Sequence, residues 1–281
     1  MKIKLGNNAY GKNAVNISKI IRHKDHHEFR QLSVSIALQG DFETAHTTGD
    51  NTKILPTDTQ KNTVYVLAKE HLTGSIEDFG IVLSNHFLNN NKQLSSARID
   101  ITEHLYHRLV FNAMEHPHTF ISSGNEKRTT VIEQDRNKLT VTSGIKDLLI
   151  LKTTDSAFKD YIKDPYTTLK ETDDRIMATQ FTAEWIYTSH QLNFAGLYTN
   201  IRSSLLKTFS DHKSLSVQHT LYAMGEHVLK SFDEVKEISL VMPNKHHILF
   251  NLEQFGLENN NEIFIATDEP FGYITGTVTR E

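Results

Sequence analysis

Gln31-Leu32-Ser33-Val34-Ser35-Ile36-Ala37-Leu38-Gln39 is the stretch from which the architecture follows. Leu32, Val34, Ile36 and Leu38 alternate strictly with small or polar residues, the period-two pattern of a strand that buries one face. Upstream, Asn13 to Ile21 carries Val15, Ile17 and Ile20. The polar run His23 to His27 between the two predicts a hairpin. Downstream, a Thr, Gly, Asp and Asn-rich loop spans His46 to Lys53, and Pro56-Thr57-Asp58 introduces a helix over Lys61 to Lys69, with Thr57 or Asp58 as its cap. Ser75-Ile76-Glu77-Asp78 has capping-box spacing, and Ile76, Phe79, Leu83 and Phe87 recur at helical intervals. Ala97, Ile99 and Ile101 alternate again, and an apolar-rich piece ends near Ile121. The first half therefore reads ββααββ.

The second half repeats that order. Strands are predicted around Thr129 to Glu133, Leu139 to Lys152 and Ile176 to Tyr187. Phe194, Leu197, Ile201, Leu205 and Phe209 mark one helix, and Val217, Leu221, Met224 and Val228 mark the next. Strands near Val235 to Val241 and Glu262 to Ala266 close the chain. The fold class is α+β, a duplicated unit with antiparallel sheets. The boundary falls within residues 124 to 140, and we place the first unit at 1–135 and the second at 136–281.

Composition narrows the function. The 281 residues hold 30 Lys or Arg against 34 Asp or Glu, a net charge of −4, and neither half is basic enough to serve as a nucleic-acid footprint. No apolar run approaches the roughly 18 residues of a membrane span, so no membrane partner is expected. The absence of cysteine excludes disulfides, thiolate nucleophiles and thiolate metal sites. No signal sequence opens the chain and no Ser-Lys-Leu-type tripeptide closes it, which favours the cytoplasm.

Known catalytic motifs are missing. There is no Gly-x-Ser-x-Gly elbow, no dinucleotide fingerprint and no phosphate loop. The 16 histidines include the pairs His26-His27, His116/His118 and His246-His247, but none has the i, i+4 helical spacing with a nearby carboxylate that marks a zinc hydrolase. No metal site is expected from that pattern. Asp173-Asp174, read as strand neighbours, point to opposite faces and make no carboxylate pair.

A scattered polar set remains: Tyr10-Gly11-Lys12, Pro56-Thr57-Asp58, Asp164-Pro165-Tyr166-Thr167-Thr168-Leu169-Lys170-Glu171-Thr172, Asp174-Arg175-Ile176, Ser216-Val217-Gln218 and Pro243-Asn244-Lys245-His246. In this order, across the whole chain, these motifs resemble the urate oxidase (uricase) family, cofactor-free oxidases of the tunnelling-fold superfamily. The resemblance implies a homotetramer whose sheets form a barrel around a tunnel with the helices outside. It also implies that urate, O2 and water become 5-hydroxyisourate and hydrogen peroxide, with no flavin, haem or metal. Carried over by motif, one subunit supplies Lys12, Thr57 and Asp58. Its neighbour supplies Phe158, Arg175, Val217, Gln218, Asn244 and His246. In that scheme Lys12 activates Thr57 and His246 extends the proton relay. Arg175 and Gln218 read the purine edges, Phe158 stacks on its face, and Asn244 with Thr57 holds O2. Two other readings stay open: another purine- or pterin-processing enzyme of the same superfamily, and a non-catalytic purine-binding protein.

Overall fold

The computed structural model describes residue 1 and residues 3–281. Its elements run β1 (Tyr10–Arg22), β2 (His27–Gly40), α1 (Glu43–Thr47), α2 (Thr57–His71), α3 (Ile76–Asn90), β3 (Leu94–Phe111), β4 (Met114–Asp135), β5 (Leu139–Lys152), β6 (Met177–Tyr187), α4 (Phe194–Asp211), α5 (Val217–Ser231), β7 (Val235–Leu249) and β8 (Phe264–Thr279). Hydrogen-bonded neighbours follow chain order from β1 to β8. Apart from the one-turn α1, the order is ββααββ twice, an α+β fold. Among the described residues no helix is long and apolar enough to cross a membrane.

Two compact units divide the contacts, Met1–Gly144 with Ile186–Tyr198, and Ile145–Trp185 with Thr199–Glu281. In the first, Leu32, Val34, Ile36 and Leu38 are all at most 1% exposed, so the alternating strand buries the face its sequence marks. Its pairing with β1 sets Ile17 opposite Leu32 and Val15 opposite Val34. Helix α2 packs on β1, and α3 on β3 and β4. In the second unit α5 packs on β7 and β8.

The last helix of each repeat is built alike. Helices α3 and α5 are both 15 residues long, and a serine caps each: Ser75 Oγ accepts from Asp78 N at 3.0 Å and Ser216 Oγ from His219 N at 3.1 Å. Each also brings a glycine against its sheet. A Cβ on Gly80 would lie 2.6 Å from Ile132, and one on Gly225 would lie 2.6 Å from Val278. Those distances forbid a side chain where the helix backbone must approach the last strand of its repeat.

Three sequence expectations need correction. Helix α2 begins at Thr57, so Pro56, not Thr57 or Asp58, holds the cap position, with no side-chain hydrogen bond. Thr129 to Glu133 is the end of β4, which runs unbroken from Met114, and so finishes the first repeat instead of opening the second. The polar stretch His116 to Lys127 interrupts the apolar pattern because much of β4 there is exposed on both faces. Asp173 and Asp174 lie in a loop before β6, where strand alternation does not apply.

An ion pair lies in the interior of the first unit. Glu77 is fully buried on α3, and its Oε2 accepts from Arg128 NH2 on β4 at 2.7 Å. Ser143 Oγ donates to the other carboxylate oxygen, and the Arg128 guanidinium sits 4.2 Å above the Tyr198 ring. Leaving one member alone exposes a buried charge without its partner. Glu77→Leu is expected to cost about 3–5 kcal/mol, and adding Arg128→Met to recover most of it. Chemical denaturation of the single and double variants measures this, and a single variant as stable as the parent would refute it.

Candidate active site

The second unit gathers three distant segments. Phe158 and Thr172 exchange backbone hydrogen bonds of 2.9 and 3.0 Å, an isolated antiparallel bridge. One step away, Ala157 N donates to Ser214 O at 2.8 Å and Ser214 N to Asp155 O at 2.9 Å. The 155–158 segment is therefore pinned on one side to the residues before Arg175 and on the other to the residues before α5. This brings Phe158, Arg175, Val217 and Gln218 into one neighbourhood. The Arg175 guanidinium lies 5.3 Å from the Phe158 ring centroid. Tyr161 stacks on Phe158 with centroids 4.8 Å apart and planes 16° apart.

Arg175 is the electrostatic centre of this group. It is half-buried, and burial lowers its pKa from the ordinary value. Its Nε has no hydrogen-bond partner among the described residues. A planar donor fork left open beside an aromatic face suits a flat, anionic, edge-accepting ligand. The start of α5 adds donors of the same kind. Because Ser216 satisfies only the N–H of His219, the N–H groups of Val217 and Gln218 stay free of helical partners at the positive end of the helix. Val217 is buried and Gln218 is exposed.

Asp174 is a positioning residue to which the sequence motifs gave no role. Its Oδ2 accepts from Thr154 Oγ1 at 2.8 Å and its Oδ1 from Ser156 N at 3.3 Å, while Thr172 Oγ1 donates to its carbonyl at 2.5 Å. It thus staples the segment carrying Phe158 to the residue next to Arg175. A carboxylate with loop neighbours leaves no periodic trace, so only the Asp174-Arg175 adjacency hinted at it. Asp173, given no role, pairs with Lys159 on the surface.

Asn244 and His246 are placed by β7. Asn244 pairs with Gly272 and His246 with Thr267, so β8 carries extra residues between these two positions. Both side chains are half-buried, and Lys245 between them bonds Asp268 at 2.8 Å.

The remaining predicted residues belong to the first unit. Lys12, half-buried on β1, pairs with Ile36, and the register shifts immediately after it, with Ala14 at φ 54°. Preceding it, Gly11 has no room for a side chain, since a Cβ would lie 1.8 Å from Ile36 O. Thr57 and Asp58 are the first two residues of α2. With proline at the cap, the first helical bond is Gln60 N to Pro56 O at 3.1 Å, which leaves the N–H groups of Thr57, Asp58 and Thr59 outside the helical ladder. The hydrogen bond from Lys61 is the main cause that lowers the Asp58 pKa, and the charge of Lys12 acts in the same direction. Lys12 and Asp58 are therefore electrostatic neighbours.

The sequence profile of the family described as Uricase matches residues 8–133 and 141–275. The chain belongs to the uricase family. A uricase from Arthrobacter globiformis is 40% identical over 280 residues, covering 100% of this chain and 91% of that protein. A uricase from Danio rerio is 36% identical over 278 residues, covering 97% and 93%. The crystal structure of the Arthrobacter globiformis uricase superposes with a TM-score of 0.95, covering 100% of this chain and 96% of that one. The urate oxidase of Bacillus sp. TB-90, at 23% identity and a TM-score of 0.85, shares the fold. The two ββααββ repeats are thus the tunnelling fold of this family.

If Asp174 holds the Phe158 segment, Asp174→Ala should free the Ser156 amide and speed hydrogen exchange across residues 155–158 by about tenfold or more. Hydrogen bonds to a charged group contribute roughly 1.5–3 kcal/mol. Unchanged exchange, measured by mass spectrometry, would mean that the backbone bridges suffice alone.

Proposed function

We propose that the chain is a urate oxidase that converts urate, O2 and water to 5-hydroxyisourate and hydrogen peroxide without a bound cofactor. The observation that carries this reading is the open Arg175 fork beside the Phe158 face, in a chain related along its whole length to uricases. Urate is a flat anion with oxygen and nitrogen acceptors on both edges. Arg175 engages one oxygen and its adjacent ring nitrogen, and the Gln218 amide donates and accepts on the opposite edge. Phe158 stacks on the ring, and the backbone N–H groups of Val217 and Asp58 complete the in-plane contacts.

The urate anion is itself electron-rich, so it supplies the two electrons that reduce O2 to peroxide. The protein contributes orientation and proton movement. Lys12 takes a proton through Thr57, and His246 extends that path to water. Asn244 and Thr57 hold O2, then the attacking water, on the face of urate away from Phe158.

The same reading assigns the two repeats to residues 1–135 and 136–281 and assembles four chains into a barrel around a tunnel. Each site then takes Lys12, Thr57 and Asp58 from one subunit and the other residues from its neighbour. Two features favour association. The strand order ends on β1 and β8, of 13 and 16 residues, whose outer edges are long templates for pairing. The loop after Phe158 also presents Ile162 at 96%, Tyr166 at 88% and Leu169 at 61% exposure. Cytoplasmic residence belongs to this reading too, and cell fractionation checks it.

Purified protein given urate should lose the ultraviolet band of urate in step with oxygen uptake and peroxide release. Urate binding without oxygen consumption would instead support a non-catalytic purine binder, and zinc-dependent turnover of another purine or pterin would support a different enzyme of the superfamily. Lys12→Met or Thr57→Ala should cut turnover by about 10² or more, the usual worth of general acid–base assistance. Unchanged turnover in both would remove the relay. Mixed assemblies of Thr57→Ala and Arg175→Ala subunits, each inactive alone, should regain activity if sites are shared between chains. Mixed assemblies that form and stay inactive would refute the sharing.

A further inference from the structure

The turn between β1 and β2 carries metal-ligating side chains that the proposed oxidation does not use. His23 and His26 stack with ring centroids 4.5 Å apart and planes 22° apart. His23 Nε2 lies 2.6 Å from Glu28 Oε1. One ligand atom from each of His23, His26 and Glu28 falls within 4.8 Å of the others. The turn itself is closed by His23 N donating to His26 O at 2.9 Å, and Arg22 and Ile21 pair with His27 and Glu28 in the ladder. The three side chains therefore project from one hydrogen-bonded hairpin end. A search for helical i, i+4 spacing passes over such a group, because a hairpin turn, not a helix face, makes His23, His26 and Glu28 neighbours.

A further contact sets the chemistry of His26. Its Nδ1 lies 2.9 Å from Asp25 Oδ1. An ionised carboxylate only accepts, so Nδ1 carries the proton and the Nε2 lone pair is free, the arrangement by which a carboxylate orients a metal-binding imidazole. The His23–Glu28 contact is a 2.6 Å hydrogen bond, which an incoming cation replaces by taking both atoms. Ligands about 2.0–2.2 Å from a tetrahedral ion stand roughly 3.3 Å apart, so only small side-chain rotations are required. Side-chain exposures of 41% for His23, 31% for His26 and 51% for Glu28 leave room for those rotations and for a water as the fourth ligand.

We propose that His23, His26 and Glu28 bind one zinc ion per chain, with Asp25 orienting His26. Two imidazoles and one carboxylate suit a borderline ion of the zinc, nickel and copper group and not magnesium or calcium, which prefer all-oxygen sites. The ion is a clip on the hairpin and takes no part in urate chemistry, so the proposal stands whether or not the oxidation does.

Titration calorimetry of the metal-free full-length protein with zinc chloride tests it, with zinc content after dialysis as a second measurement. One saturable site per chain is expected. His26→Ala and Glu28→Gln should each weaken it by more than tenfold. Asp25→Asn removes no ligand yet should weaken it by about 10- to 100-fold, as loss of an orienting partner does. His118→Ala should leave it unchanged, since His118 stands with His116 and His27 in a separate group, 4.7 and 6.1 Å from their ring centroids. Absence of saturable zinc binding would overturn the proposal. So would binding indifferent to His26→Ala, or binding lost equally in His118→Ala. Metal-free melting curves of all the variants should overlay that of the parent, because these side chains lie at an exposed turn.

Discussion

Backbone hydrogen bonds around residues 155–158 tie together segments that are otherwise 14 and 57 positions apart, through Phe158 with Thr172 and Ala157 with Ser214. Phe158, Arg175 and the start of α5 are brought together by this double bridge, while Asn244 and His246 are placed separately by β7. Without it, Phe158 would ride on an exposed loop and Arg175 would have no aromatic neighbour. Main-chain bonds make this junction tolerant of side-chain change. The side chain of Asp174 adds the one sequence-dependent brace, reaching Thr154 and Ser156 from the residue beside Arg175.

Holding Arg175 there has an energetic cost. A half-buried guanidinium with no carboxylate beside it lacks the compensation that buried charges ordinarily receive. The contrast with Arg128 is instructive. That guanidinium is buried, but it has Glu77 at 2.7 Å and the Tyr198 ring at 4.2 Å. One arginine is neutralised within the protein; the other has no acidic partner among the described residues, which is why the proposed reading gives it to an anionic ligand. Preorganised charge of this kind holds a reactive anion in place without a redox centre, as the proposed oxidation requires.

Legibility from sequence followed burial. The strand at Leu32 to Leu38 and the helices carrying Phe79 and Phe87, or Leu205 and Phe209, announced themselves because one face of each is buried to within 1% exposure. The doubled ββααββ order followed from them. What the pattern lost was the continuity of β4: the piece ending near Ile121 and the strand at Thr129 to Glu133 are one strand, and the mostly exposed Met114 to Asn125 stretch has no strict alternation to join them. The site residues were legible only as motifs, through family resemblance. Phe158 has no periodic context, and Thr57 sits at a helix start that starts too early for the apolar count beginning at Lys61. Asp174 and the His23–His26–Glu28 group escaped for a common reason: loops and turns assemble contacts by chain reversal, which periodicity does not encode.

The starts of α2 in the first unit and α5 in the second leave amides open in different ways. At α5, Ser216 spends its hydroxyl on His219 N and leaves the first two amides open. At α2, Pro56 has no side-chain acceptor, so three amides from Thr57 to Thr59 lack helical partners. Proline at a cap position is a poor choice for stability, because a serine or aspartate there would contribute about 1 kcal/mol. It also fixes the φ of the residue leading into the helix. A helix start that forgoes its cap, follows a rigid residue and lies in the field of Lys12 keeps three amide donors open, the feature on which the proposed contacts of Thr57 and Asp58 rest. That trade is the physical sense in which Pro56 belongs to the same motif as Thr57 and Asp58.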